Sequence, residues 1–223
     1  MREIVLDTET TGLDPLDGHR LVEVGCVELI NGIPSGQTFH VYFNPERAMP
    51  AEAFAVHGLS DEFLKDKPFF AESADELIAF LGDAPLVIHN AEFDLAFLNA
   101  ELARLGLPPL PSARAIDTLL LARRKFPGAQ ASLDALCRRF EIDASARTLH
   151  GALIDCDLLS RVYLELIGGK QGSLELAAAA TMLDAAGAVV RPFRAPRPFA
   201  PSTEELAAHA AMVARLSDPI WAS

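Results

Sequence analysis

Two carboxylates interrupt the first apolar, β-branched run of the chain, Ile4-Val5-Leu6-Asp7-Thr8-Glu9. In an extended strand, residues two apart project from one face, so Asp7 and Glu9 point the same way. The apolar neighbours imply a central, buried strand. Two like charges side by side in a low dielectric repel, and at least one takes up a proton unless a cation compensates. Packing alone does not account for such a strand.

The same conflict recurs twice. A helix expected over about 93–105 places Phe97, Leu98 and Leu105 on the face of Asp94. Another, over 151–167, places Leu158, Leu159, Val162 and Leu166 on the face of Asp155. Four acids on inward faces are explained together by one shared site for divalent metal. Oxygen ligands select a hard cation, Mg²⁺ or Mn²⁺, over zinc. Two such ions about 3.5–4 Å apart serve in-line displacement at phosphorus by activating a water and stabilising the leaving oxygen. His150 stands five residues before Asp155, where the chain enters that helix. Imidazole, with an ordinary pKa of about 6.5, suits general-base work.

The surrounding pattern reads as strands first, at 4–8, 21–30 and 39–43, with Asn31-Gly32 and Ser35-Gly36 as turn signals. A helix over 73–81, N-capped by Ser73 with Glu76 completing a capping box, follows. Then come a buried strand at 86–88 and helices over 93–105, 115–126, 132–140 and 151–167. Strands followed by strand–helix alternation indicate an α/β fold with a mixed sheet flanked by helices. After Gly168-Gly169 the composition shifts to an Ala run and a Pro/Arg-rich stretch (191–198), which reads as a linker. A last helix is expected from Ser202, with Glu205 completing a capping box.

The net charge of −12 is unusual for a chain that handles a polyanion. It predicts a weak grip on nucleic acid unless metal ions or a partner help. Cys26, Cys137 and Cys156 are dispersed, which argues against disulfides and thiolate zinc sites and for small core residues. No apolar run reaches the roughly 18–20 residues of a membrane span. No signal-peptide pattern opens the chain, so a soluble, cytoplasmic protein is expected.

Three segments resemble the DEDD exonuclease family in its histidine branch: Asp7-Thr8-Glu9, then Ile88-His89-Asn90-Ala91-Glu92-Phe93-Asp94, then His150-Gly151-Ala152-Leu153-Ile154-Asp155. Val56 to Leu64, Ser132 to Cys137 and Arg147 to Gly169 narrow the resemblance to proofreading exonucleases of bacterial replicative polymerases. The resemblance implies an RNase H-like five-stranded sheet over residues 1–170 and removal of nucleotides from a 3′ end. It makes Asp7, Glu9, Asp94 and Asp155 ligands of two divalent cations, with His150 as the base. Thr10, His57 and Phe93 would contact the terminal nucleotide of single-stranded or frayed DNA, while His89 reads as structural. Residues 171–223 would form a flexible tail. There Gln171, Leu174 and Leu176 would dock on the sliding clamp, and the terminal helix on the polymerase's large (alpha) subunit. A small theta-like subunit is a possible further partner. The competing readings are an RNA-processing exoribonuclease of the same family and a noncatalytic binding module on the same fold.

Overall fold

Strands β1 (Arg2–Thr10), β2 (Leu21–Ile30) and β3 (Ile33–Tyr42) form an antiparallel meander. This computed structural model describes residues 1–145, 147, 149–168 and 200–217. Asn31 and Gly32 both adopt positive φ (53° and 78°), the conformation a two-residue hairpin needs to match strand twist. The Ser35-Gly36 signal does not end a strand. It lies inside β3, where the register slips between the pairs Val27↔Thr38 and Leu29↔Pro34. Gly36 (φ 91°) and the Ser35 hydroxyl, donating to Glu28 at 2.6 Å, accommodate this bulge. The third strand therefore starts at 33 rather than 39.

Strands β4 (Leu86–Ile88) and β5 (Ala115–Asp117) extend the sheet in parallel, giving the order β3-β2-β1-β4-β5. Among the described residues up to 168 lie the helices α1 (Ala51–His57), α2 (Asp61–Leu64), α3 (Phe70–Leu81), α4 (Ala91–Arg104), α5 (Thr118–Lys125), α6 (Leu133–Arg139) and α7 (Ala152–Leu166). One face of the sheet, with Ile4, Leu6 and Ile88, is covered by Leu77 and Leu81 of α3 and Leu98 of α4. The other, with Val5, Val27 and Val87, meets Leu136 of α6 and Leu159 and Val162 of α7. This is the mixed, helix-flanked α/β sheet that the pattern predicts. All three cysteines are free and buried.

Two helix starts differ from expectation by three residues. Residues 115–117 are strand β5, not the first turn of a helix over 115–126. Three residues are too few to show a period, and their pairing with β4 is long-range. Helix α3 begins at Phe70, because the Glu72 carboxylate accepts the Phe69 N–H at 2.8 Å, one turn before the Ser73/Glu76 pair. Ser73 is instead buried within the helix.

Gly25 of β2 sits opposite Asp7. A Cβ there would lie 2.5 Å from the carbonyl carbon of Ala152 and 2.6 Å from the nitrogen of Leu153. The missing side chain lets the first turn of α7 rest on the sheet, and the Cys156 thiol donates to the Gly25 carbonyl at 3.2 Å. Gly25→Ala is expected to push α7 outward, costing about 1–3 kcal/mol of stability and displacing Asp155. Thermal unfolding together with a nuclease assay checks this; an unchanged melting temperature would refute the close contact.

The chain divides into two compact units, Met1–Ser173 and Leu174–Ser223. In the second, α8 (Thr203–Val213) carries the expected capping box. Ser202 accepts the Glu205 N–H at 3.2 Å, and Glu205 accepts the Ser202 N–H at 2.8 Å. Leu206, Met212 and Leu216 are exposed. The expected clamp-binding residues Gln171, Leu174 and Leu176 and the 191–198 linker lie outside the described residues. No helix among the described residues is long and apolar enough to cross a membrane.

Candidate active site

A cavity of about 770 Å³ opens where β1 and β4 end. Asp7, Glu9, Asp94, His150 and Asp155 line it, together with Thr10, His57 and Phe93. Four separate segments deliver them. Asp7 and Glu9 come from β1, whose ladder with β2 slips just after Glu9. Asp94 lies in the first turn of α4 and accepts the Thr8 hydroxyl at 2.7 Å. His57 ends α1. Asp155 lies in the first turn of α7, and His150 just before that helix donates its N–H to the Val56 carbonyl at 3.2 Å. Asp117 pins the frame, accepting N–H groups at the start of α4 (Ala91, 3.1 Å) and of α5 (Leu119, 2.8 Å).

Asp94 and Asp155 are each only 3% exposed and Glu9 7%. Burial is the first cause of the raised pKa values of Glu9, Asp94 and Asp7. It pushes Glu9 up to about 8, helped by the charges of Glu23, Asp155 and Asp94. It pushes Asp94 up to about 7 even though the Thr8 hydrogen bond works the other way. Asp7 rises well above the carboxylate range through burial and then Asp94, Glu9 and Asp155. Glu23, directly across the ladder from Glu9, is itself buried and bonded to His40 at 2.7 Å.

Arg147 supplies positive charge at the site. Its guanidinium binds both oxygens of Asp155 (Nη2–Oδ2 2.8 Å), reaches Asp134 at 2.5 Å and approaches His150 Nδ1 at 3.1 Å. Donor atoms of Glu9, His150 and Asp155 lie within 4.8 Å of one another. Asp7 and Asp94 line the same cavity outside that tightest set. Clustered buried carboxylates and one imidazole, held near neutral pH only by partial protonation and one guanidinium, fit a divalent cation of the hard or borderline kind.

Among the expected substrate contacts, His57 stands out. Its Nδ1 accepts the Leu59 N–H at 3.0 Å, which leaves the proton of the neutral ring on Nε2. No group among the described residues meets good hydrogen-bond geometry at that buried Nε2, and the Thr10 backbone is the acceptor that lies near the ring. Burial also holds the His57 pKa below its ordinary value. Phe93 is half-buried and packs against Phe97 with the rings tilted and their centroids 5.1 Å apart, while the Thr10 hydroxyl donates to the Gly12 carbonyl at 2.6 Å. His89 bonds Thr118 at 2.9 Å, a structural contact.

Sequence reasoning assigned no role to Arg147, Glu23 or Gly25. Glu23 carries the signal that exposed Asp7, an acid within an apolar strand. Gly25, a glycine inside a strand, marks close backbone approach. Nothing local marks Arg147, whose partners are set by folding.

The exonuclease (RNase T) family model matches residues 4–163. The chain is 54% identical over 179 residues to DNA polymerase III subunit epsilon of Rickettsia conorii, covering 79% of this chain and 78% of that one. It is 50% identical over 176 residues to the subunit of Escherichia coli K12 (76% and 72% covered). With that of Salmonella typhimurium it shares 46% over 219 residues (93% and 90% covered). The nuclease domain of 3′hExo, a DEDDh family member bound to rAMP, shares the fold at TM-score 0.65 and 20% identity, over 74% of this chain and 91% of that one. Exonuclease X in complex with 5′ overhanging duplex DNA superposes at TM-score 0.56 with 26% identity, over 74% and 90%. This fold works with divalent metal ions, and the chain belongs to the exonuclease family, among the bacterial DNA polymerase III epsilon subunits, as a 3′→5′ exonuclease.

Proposed function

We propose that the chain proofreads for a bacterial replicative polymerase, removing mispaired 3′-terminal deoxynucleotides one at a time. The observation that carries this reading is the convergence of Asp7, Glu9, Asp94, Asp155 and His150 on one cavity. In this reading the four acids hold two Mg²⁺ or Mn²⁺ ions, which when bound supply Lewis-acid activation and neutralise charge at the scissile phosphate. His150 takes the proton of the attacking water. Thr10, His57 and Phe93 hold the terminal nucleotide, with the His57 Nε2–H donating and the Phe93 ring stacking on a base, a contact generally worth about 1–3 kcal/mol. The protein acts in the cytoplasm. Its tail carries it to the alpha subunit through α8 and to the sliding clamp through Gln171, Leu174 and Leu176, and a theta-like subunit joins the complex. Tethering at millimolar effective concentration makes a net charge of −12 tolerable.

The test is release of mononucleotides from matched and mispaired DNA primers and from RNA. Expected are faster release from the mispaired end and complete arrest by a chelator. Equal or faster release from RNA would favour an exoribonuclease, and no release under any metal would leave a binding module. Deleting residues 171–223 should spare hydrolysis and end polymerase association.

The metals have their own readout. The folded, metal-free site binds protons that the unfolded chain has already lost, since Glu9 titrates near 8 instead of 4.5 and Asp94 near 7 instead of 3.8. The stability tied to this excess is fully present below about pH 4 and is lost as pH rises through about 7–8. Neutralising cations remove that loss. Mn²⁺ should therefore raise the melting temperature more at pH 8 than at pH 5.5, and an equal rise at both would count against carboxylate ligation.

A further inference from the structure

The acidity of the chain is not evenly spread. Between Thr118 and Phe140 five cations, Arg123, Arg124, Lys125, Arg138 and Arg139, accompany a single acid, Asp134. That acid is occupied by Arg147. All five cations are exposed. Among the described residues none of the five is in a salt bridge; Lys125 donates to the Glu165 and Leu166 carbonyls at 2.9 Å and Arg138 to the Asp134 carbonyl at 3.3 Å, so no carboxylate neutralises any of them.

Their arrangement joins them to the catalytic cavity. The Arg139 guanidinium lies 4.5 Å from the centre of the Phe126 ring, and the Lys125 ammonium 6.0 Å from the same ring, so Phe126 links the cations of α5 and α6. Arg138 and Arg139, with Ala129, Gln130 and Ala135, line a second depression of about 510 Å³. The segment 129–135 is a shared wall: Ser132, Leu133 and Asp134 face the catalytic cavity, and its remaining lining residues face the depression. Burial first, and the Arg123 charge as a lesser cause, hold the pKa of His89, on the catalytic side, below its ordinary value.

We propose that this basic depression is a second DNA subsite, which holds the sugar-phosphate backbone of the same strand 5′ to the nucleotide in the catalytic cavity. The inference rests on the exonuclease reading and deepens it. Exposed cations without carboxylate partners give counterion release on meeting phosphates at little cost in broken ion pairs. Guanidinium groups suit this role because they are weakly hydrated and match phosphate geometry. The charge puzzle then resolves locally, since the strand meets the cations of α5 and α6 and not the acidic remainder.

The test uses the full chain carrying Arg123→Gln and Arg138→Gln, which leaves the Arg139–Phe126 and Lys125–Phe126 contacts in place. Substrates are single-stranded DNA and the p-nitrophenyl ester of thymidine 5′-monophosphate, which occupies the catalytic cavity alone. The variant should raise KM for DNA about five- to tenfold at physiological salt and keep wild-type kinetics on the ester. The slope of log affinity against log salt should weaken by about 1.4, the value for two lost single-strand phosphate contacts. Unchanged KM and salt slope on DNA would overturn the proposal, as would an equal loss on both substrates. Loss of polymerase association with DNA kinetics intact would also overturn it, marking a protein-docking face. If the wild type hydrolysed neither substrate, the exonuclease reading itself would fail, while DNA binding by fluorescence anisotropy would still compare the two proteins.

Discussion

Replacing Asp7 with Asn is expected to lower turnover about a thousandfold and to make the metal-free protein more heat-resistant. The two effects share one cause. Asp7 sits among Glu9, Asp94 and Asp155, which together with burial force its carboxyl towards the protonated form. With cations bound, its charge is an asset. A loss of about 4 kcal/mol of transition-state stabilisation, within the several kcal/mol a metal ion supplies, corresponds to about three powers of ten. Without cations the charge is a liability, and the neutral amide removes it at nearly constant shape. Each kcal/mol gained should raise the melting temperature by about 2–4 °C in a chain of this size. The gain should be largest at pH 8, shrink as pH falls and vanish only below about pH 4, where the carboxyl is protonated in the folded and the unfolded chain alike. Wild-type turnover in the variant would remove Asp7 from the reacting centre, and a lower melting temperature at pH 8 would show that repulsion does not dominate there.

Loss of the His150 ring in His150→Ala should lower turnover about 10²–10⁴-fold, the usual range for a general base, with Mn²⁺ affinity changed by no more than a few-fold. The structure adds a condition. A guanidinium can only donate, so Arg147 at 3.1 Å makes Nδ1 the acceptor and leaves the proton of the neutral ring on Nε2. In that state neither nitrogen has a free lone pair for a proton from water. Arg147 must turn away from the ring, retaining Asp155 or Asp134, before His150 can act as base. Isothermal titration with Mn²⁺ beside single-turnover kinetics separates the roles. If affinity fell in step with turnover, His150 would be a ligand, the alternative that its place beside Glu9 and Asp155 allows.

Strand and helix periodicity carried most of the fold. The faces of β1, α4 and α7 were legible because one wrong-coloured residue, an acid, stood on each apolar face. Strand β5 was not legible, since three residues show no period and its partner β4 lies 29 positions away in the register Leu86↔Ala115. The bulge at Ser35-Gly36 looked like a turn because the same residues serve both, and only the pairing of β2 with β3 distinguishes them.

From residue order alone came the kind of site: buried acids that need cations, with a histidine beside them, on a mixed sheet. Periodicity determines which face a side chain takes, and that information is local. Tertiary structure decided what neutralises those acids when no metal is bound. Arg147 meets Asp155 at 2.8 Å, and Gly25 admits the start of α7, which carries Asp155, to the sheet. It also decided that His57, in the cavity wall, buries its Nε2–H, and that Phe126 brings the cations of α5 and α6 together in an otherwise acidic chain. Such contacts join segments distant along the chain, so no local pattern encodes them.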